Sequence, residues 1–147
     1  MKRYIIFLII FCISSSSSAR LVRSYTYDEL KESSDLVVIA TPTKVNQLSE
    51  RTALPNMSTV IGSGVETTFT VFSVLKGDNK LKSFILHHYS VSGFLINGPS
   101  LVSFNVQNKK TYILFLKRSV GGRYVAVSGQ TDPINSIKAL SDINESN

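Results

Sequence analysis

The side chains best suited to chemistry are the chain's only two histidines, His87 and His88, adjacent in the stretch FILHHYS at residues 84–90. An imidazole can ligate a metal or act as a base, but either role needs partners at the right spacing. In an extended segment successive side chains point to opposite faces, so His87 falls with Ile85 and Tyr89 while His88 falls with Phe84 and Leu86. Two such residues cannot easily grip one ion, and no second histidine pair or cysteine lies at zinc-site spacing. The residues therefore predict no metal and no cofactor, with one histidine hydrogen-bonded near the core and the other at the surface.

A serine–histidine–acid site is the next chemistry to weigh. Serines are plentiful, and Asp78 or Asp132 could orient an imidazole. No serine sits in a Gly-x-Ser-x-Gly elbow, and SVSGF at 90–94 lacks the first glycine. GSG at 62–64 is too short for a phosphate cradle and reads as a loop. Tyr89, Phe94, Tyr112 and Tyr124 could stack on single-stranded bases, but the modest charge speaks against nucleic acid. No catalytic residue is assigned. The alternative to a non-catalytic protein is a hydrolase or metal-dependent enzyme using His87 or His88. The binding candidates are Phe94, Leu95 and Ile96, three apolar residues framed by Gly93, Gly98 and Pro99. They either form an exposed tip for a partner or fold over one end of the domain.

These residues need a scaffold, and the N-terminus says where it goes. Lys2 and Arg3 precede an apolar run from Tyr4 to Ile13, then serines 14–18 and Ala19. This is the build of a signal peptide spanning residues 1–19, cut near Ala19 to give an exported, periplasmic or secreted domain at 20–147. The run is far below the roughly 20 apolar residues of a spanning helix, so no transmembrane span is expected in the mature chain. Cys12, the only cysteine, lies inside the run. An envelope lipoprotein acylated there is a further alternative, although Phe11 stands where a small residue is normally required. Cutting after Ala19 leaves no cysteine, hence no disulfide. Losing Lys2 and Arg3 lowers the formal net charge from +6 to +4, enough for only a weak attraction to anionic surfaces. The partner expected is an envelope protein or surface component.

The patterning of 20–147 is mainly β. Thr26 and Glu29 have capping-box spacing, so a short helix opens SYTYDELKESSD at 24–35. Strands are expected at 35–45, with Pro42 at an edge or bulge, at 65–76 and at 81–91, the last two joined by a Gly77–Asp78 turn. Further strands are expected at 101–106, 111–118 and 123–129, with a Gly121–Gly122 hairpin turn joining the last two. Residues 49–64 read as a long loop, and 132–140 as a short helix or a terminal strand. On the strand at 65–76, strict alternation puts Phe69, Val71 and Leu75 on one face and Thr70, Phe72 and Val74 on the other. Several strands are apolar on both faces, which predicts a small, closed or partly open antiparallel barrel of about six strands rather than a flat sheet.

ELKESSDLVVIATPTKV, FSVLKGD, KKTYILFLKR and GRYVAVSGQTDPI together resemble a loose group of small exported bacterial proteins of uncharacterised role. Their domains look like OB-type barrels akin to the netrin/TIMP module. The resemblance spans residues 26–135 and departs at Ala40 and Thr41, where a glycine often follows the first strand. It implies the fold. The TIMP-type inhibition through an N-terminal cysteine does not carry over, because cleavage after Ala19 leaves Arg20 first.

Overall fold

The computed structural model describes residues 22–93, 95 and 97–140. The expected signal segment and Cys12 lie outside them, as do Phe94 and Ile96. The capping box forms as expected: Thr26 Oγ1 accepts from the Glu29 amide at 3.2 Å, and Glu29 Oε2 accepts from the Thr26 amide at 2.8 Å. Between them they satisfy two of the amide groups that a helix start leaves unpaired. The helix, α1 (Tyr27–Ser33), is short because Ser34 and Asp35 turn directly into extended chain. Lys76 Nζ closes its other end, donating to the carbonyls of Lys31 and Glu32 at 2.7 and 3.1 Å.

Six strands follow: β1 (Leu36–Leu54), β2 (Met57–Lys76), β3 (Ser83–Ser90), β4 (Tyr112–Arg118), β5 (Tyr124–Ala126) and β6 (Ile137–Ala139). They form one mixed sheet in the order β1-β2-β3-β5-β4-β6. An additional β1–β4 pairing joins five of them into a ring. The expected all-antiparallel arrangement needs correction at one joint, because β3 meets β5 in parallel through Leu86 and Tyr124. Among the described residues no helix is long and apolar enough to cross a membrane.

The expected loop at 49–64 is instead the outer half of a hairpin. β1 and β2 continue to a two-residue turn at Pro55–Asn56, where Asn56 takes a positive φ of 60°. Pro then Asn in the left-handed region is the residue pair a type II turn favours. The polar, glycine-bearing composition reflects a projecting ribbon with much of its surface in water. Pro42 does mark an irregularity, since the β1–β2 register shifts immediately after it.

Two more shifts in that pairing correct the expected faces of β2. The register skips Phe72 between Ser73 and Val71, and skips Leu75 between Lys76 and Val74. Each skipped residue is a bulge that reverses the alternation. Phe69 and Val71 face inward and Phe72 stands 85% exposed, as alternation expects, but beyond Phe72 it is Val74 that turns inward and Leu75 that is 51% exposed.

The ring encloses the main core, built from Leu36, Val38, Phe69, Leu86, Leu114 and Leu116 with their neighbours. Residues 101–106 supply no strand. They run irregularly into a 3-10 turn at Val106–Asn108 and insert Phe104 into this core. Its ring meets Phe69, His88 and Tyr112 edge-on at 5.0–5.3 Å. Outside the ring, Leu30 of α1 covers Val37 and Phe115. The Gly121–Gly122 turn forms, both glycines at positive φ, with the Ser119 amide bonded to the Arg123 carbonyl. Residues 132–140 combine both sequence alternatives in shortened form: a 3-10 turn at Pro133–Ser136 leads into β6.

Candidate functional site

β3 presents its two histidines to opposite sides, but neither is at the surface: His87 is 9% and His88 3% exposed. The expected surface histidine is a correction, and the ribbon mistaken for a loop explains it. His88 points into the core, where its Nε2 bonds to Thr67 Oγ1 at 2.9 Å and Phe104 packs against it. Burial pushes its pKa down to about 4, with nearby His87 adding to the effect. A ring that stays neutral through the physiological range and faces no solvent is a core residue, not a proton shuttle.

His87 faces the other way, under the projecting ribbon. Between Gln47 and Arg51 the β1 register shifts against β2, and the displaced backbone lays Glu50 across Gly64. A side chain at position 64 would meet Glu50 at 3.0–3.1 Å, so the absence of a Cβ is what lets the carboxylate through. Glu50 then receives the Tyr89 hydroxyl at 2.5 Å on Oε1 and faces His87 Nε2 at 3.0 Å on Oε2. Gln130 Nε2 donates to the His87 carbonyl oxygen at 3.1 Å and lies 3.3 Å from Nδ1. Because that nitrogen must be a donor, the tautomer that fits these contacts accepts at Nδ1 and carries its proton on Nε2, facing Glu50. Across β2, Glu66 is the register partner of His87 and pairs with Arg123 Nε at 2.8 Å.

The electrostatics fit a clamp. The hydrogen bond from Tyr89 holds the Glu50 carboxyl below its ordinary range, and the bond to His87 acts the same way. Burial, then the bond to Glu50, pushes the Tyr89 phenol up to about 12. Glu50 is thus a carboxylate and Tyr89 a fixed donor at neutral pH, and both nitrogens of His87 are engaged. The acid that meets a histidine is Glu50, a residue the sequence reading placed in a loop. Asp78 accepts from the Lys80 amide and Asp132 from the Ser100 amide. Ser90 Oγ bonds to Ser63 and Gln47, not to an imidazole. Among the described residues no three His, Cys, Asp or Glu side chains are grouped to hold a metal ion.

Of the stacking candidates, Tyr89 is buried in the clamp, and Tyr112 and Tyr124 pack on the core. Of the binding candidates, Leu95 is described and is 39% exposed. It lies in a turn closed by the Gly98 amide on its own carbonyl at 3.2 Å. With Val91, Gly93, Gly98, Pro99 and Leu101 it lines a groove of about 330 Å³. Val91 and Leu101 also pack against the small core of the ribbon formed by Leu54, Val60 and Tyr89. The clamp therefore braces one wall of this groove through Tyr89.

No family model matches the chain, and no curated protein matches it at a meaningful level.

Proposed function

We propose that the chain is an exported, non-catalytic binding module of a cell envelope, on an OB-type barrel of the netrin/TIMP-like kind. A five-stranded ring closed through one short parallel pair is in keeping with the partly open, five-stranded OB architecture. The observation that carries the non-catalytic reading is that the reactive side chains are buried or engaged with one another, His88 keeping its Nε2 bond while its Nδ1 is buried without a partner among the described residues. His88 is sealed beside Thr67, and His87, Glu50 and Tyr89 satisfy one another. Open to a partner is the groove beside Leu95, shallow, lined by apolar side chains with polar backbone exposed among them, and resting on a braced wall. Such a groove suits an apolar side chain of an envelope protein better than a reacting substrate.

A photo-crosslinking amino acid at Leu95, introduced into the protein in its own host, tests this reading. It predicts one discrete adduct with an envelope component, absent when the crosslinker stands at Lys44 instead. The adduct should persist in a Thr67→Val/His88→Leu variant. Failure to form any adduct at Leu95, or its loss in that variant while the fold survives, would sink the proposal.

A further inference from the structure

The end of the ring opposite the Leu95 groove has a different character. β1 and β5 start there and β2 and β4 finish there, so it gathers residues 34–36, 76–83 and 117–124. Lys80, Lys82, Lys117 and Arg118 are all exposed at this end, and none of them is ion-paired among the described residues. With Lys76 they make five cations against two acids, Asp35 and Asp78. Lys31 and Glu32 on the last turn of α1 cancel, as do Arg123 and Glu66 in their ion pair. Both acids already accept a backbone amide, from Arg118 at 2.8 Å and from Lys80 at 2.9 Å.

Among these charges stands Val120, 90% exposed at the tip of the Gly-Gly turn. Beside it a groove of about 240 Å³ runs between the two loops, lined by Arg118, Ser119, Ser83 and Tyr124. Leu75, 51% exposed, stands outward near the end of β2. Residues 22–25 and 139–140 both lie toward the start of β4, so the chain leaves the described fold at the far end.

We propose that this end docks on an anionic lipid bilayer, the cations facing the headgroups and Val120 entering the interface. An apolar tip inside a ring of unpaired lysine and arginine is the combination an interfacial anchor needs. A bare polyanion would use the charges and leave Val120 without a role. The Leu95 groove would then face away from the membrane, although the docking does not depend on what that groove binds.

The test is co-sedimentation of the full chain with vesicles rich in phosphatidylglycerol, compared with pure phosphatidylcholine. Each cation near an anionic surface contributes about fivefold to partitioning. Lys80→Gln/Lys82→Gln should therefore lower the phosphatidylglycerol partition coefficient by about 25-fold. The charge-matched Lys109→Asn/Lys110→Gln pair precedes β4 at the far end, about 20 Å away and some two Debye lengths off. It should change binding by less than about twofold on that screening. Val120→Ser should cost about fivefold, for partial burial of one valine. The apolar run at residues 4–13 is common to all variants and drops out of the comparison. Equal losses from both lysine pairs would mean that net charge alone is read, and no loss from either would mean that this end is not the contact. Either result overturns the proposal, and so does undiminished binding by Val120→Ser, which would point to a polyanion.

Discussion

His88 makes the protein acid-labile in a window that can be calculated. Its pKa falls from 6.5 to about 4 on folding. Between those values the unfolded chain binds a proton that the folded chain refuses, so stability must fall as pH falls. The full shift corresponds to about 3 kcal/mol, of which about 2 kcal/mol is lost between pH 7 and pH 5. Against a total of roughly 5–15 kcal/mol for a domain, that loss is readily measured. Glu50 works in the same direction but lower down. Its depressed carboxyl stabilises the fold above the ordinary carboxylate range and is lost only as pH falls through the lowered value. Stopping at pH 5 separates the two groups. The matched perturbation is Thr67→Val/His88→Leu, which removes both members of the buried bond and leaves no orphan, a change that can be nearly neutral at pH 7. Urea unfolding at pH 7, 6 and 5 and constant ionic strength should show wild type losing about 2 kcal/mol more than the variant. Parallel curves for the two proteins would refute the assignment of His88 as a buried neutral ring.

Two phenylalanines three residues apart on β2 should behave oppositely. Phe69→Ala empties a fully buried position stacked on Phe84 and should cost about 3–5 kcal/mol, whereas Phe72→Ala should fall within about 0.5 kcal/mol of wild type. Urea midpoints for the two variants check that Phe69 faces inward and Phe72 outward. Gly62→Ala would put a methyl 2.8 Å from Leu54 Cδ2 and 3.1 Å from Tyr89 Cβ. Overpacking of about 1–3 kcal/mol should exceed the gain from losing a flexible glycine, so a stabilised variant would contradict the packing described. Glu50→Gln should lower the Tyr89 phenol from about 12, read by ultraviolet titration as the difference from the Tyr89→Phe background; an unchanged titration would deny the Glu50 bond.

Local signals carried well from sequence to structure. Thr26 and Glu29 encode their capping box within four residues, and Gly121–Gly122 encodes its turn alone. The placement of 81–91 and 111–118 as strands needed only their own β-branched and aromatic content. What escaped depends on residues distant in sequence. Phe104 lies in a segment with strand-like alternation, yet its place is set by Phe69, His88 and Tyr112, which come together only once the ring closes. The faces of β2 were misassigned beyond Phe72, with Val74 and Leu75 exchanged, because a bulge leaves no mark in one strand's own composition. The His87 clamp is the clearest case. Its acid sits in SERTALPN, a stretch with the look of a loop, and it reaches His87 only through a register shift on β1 and a missing side chain at Gly64. The one cue was Gly64 itself, a glycine within a strand, which often marks the close approach of another chain segment.

The most direct test of the account is a native mass spectrum of the protein isolated from the envelope fraction of its own host. The expected species has the mass of residues 20–147, carries no metal and is held to a discrete envelope component. A stoichiometric metal would contradict the structural assignment of His87 and His88. A lipid-modified chain beginning at Cys12 would contradict cleavage after Ala19 and make the protein a tethered lipoprotein.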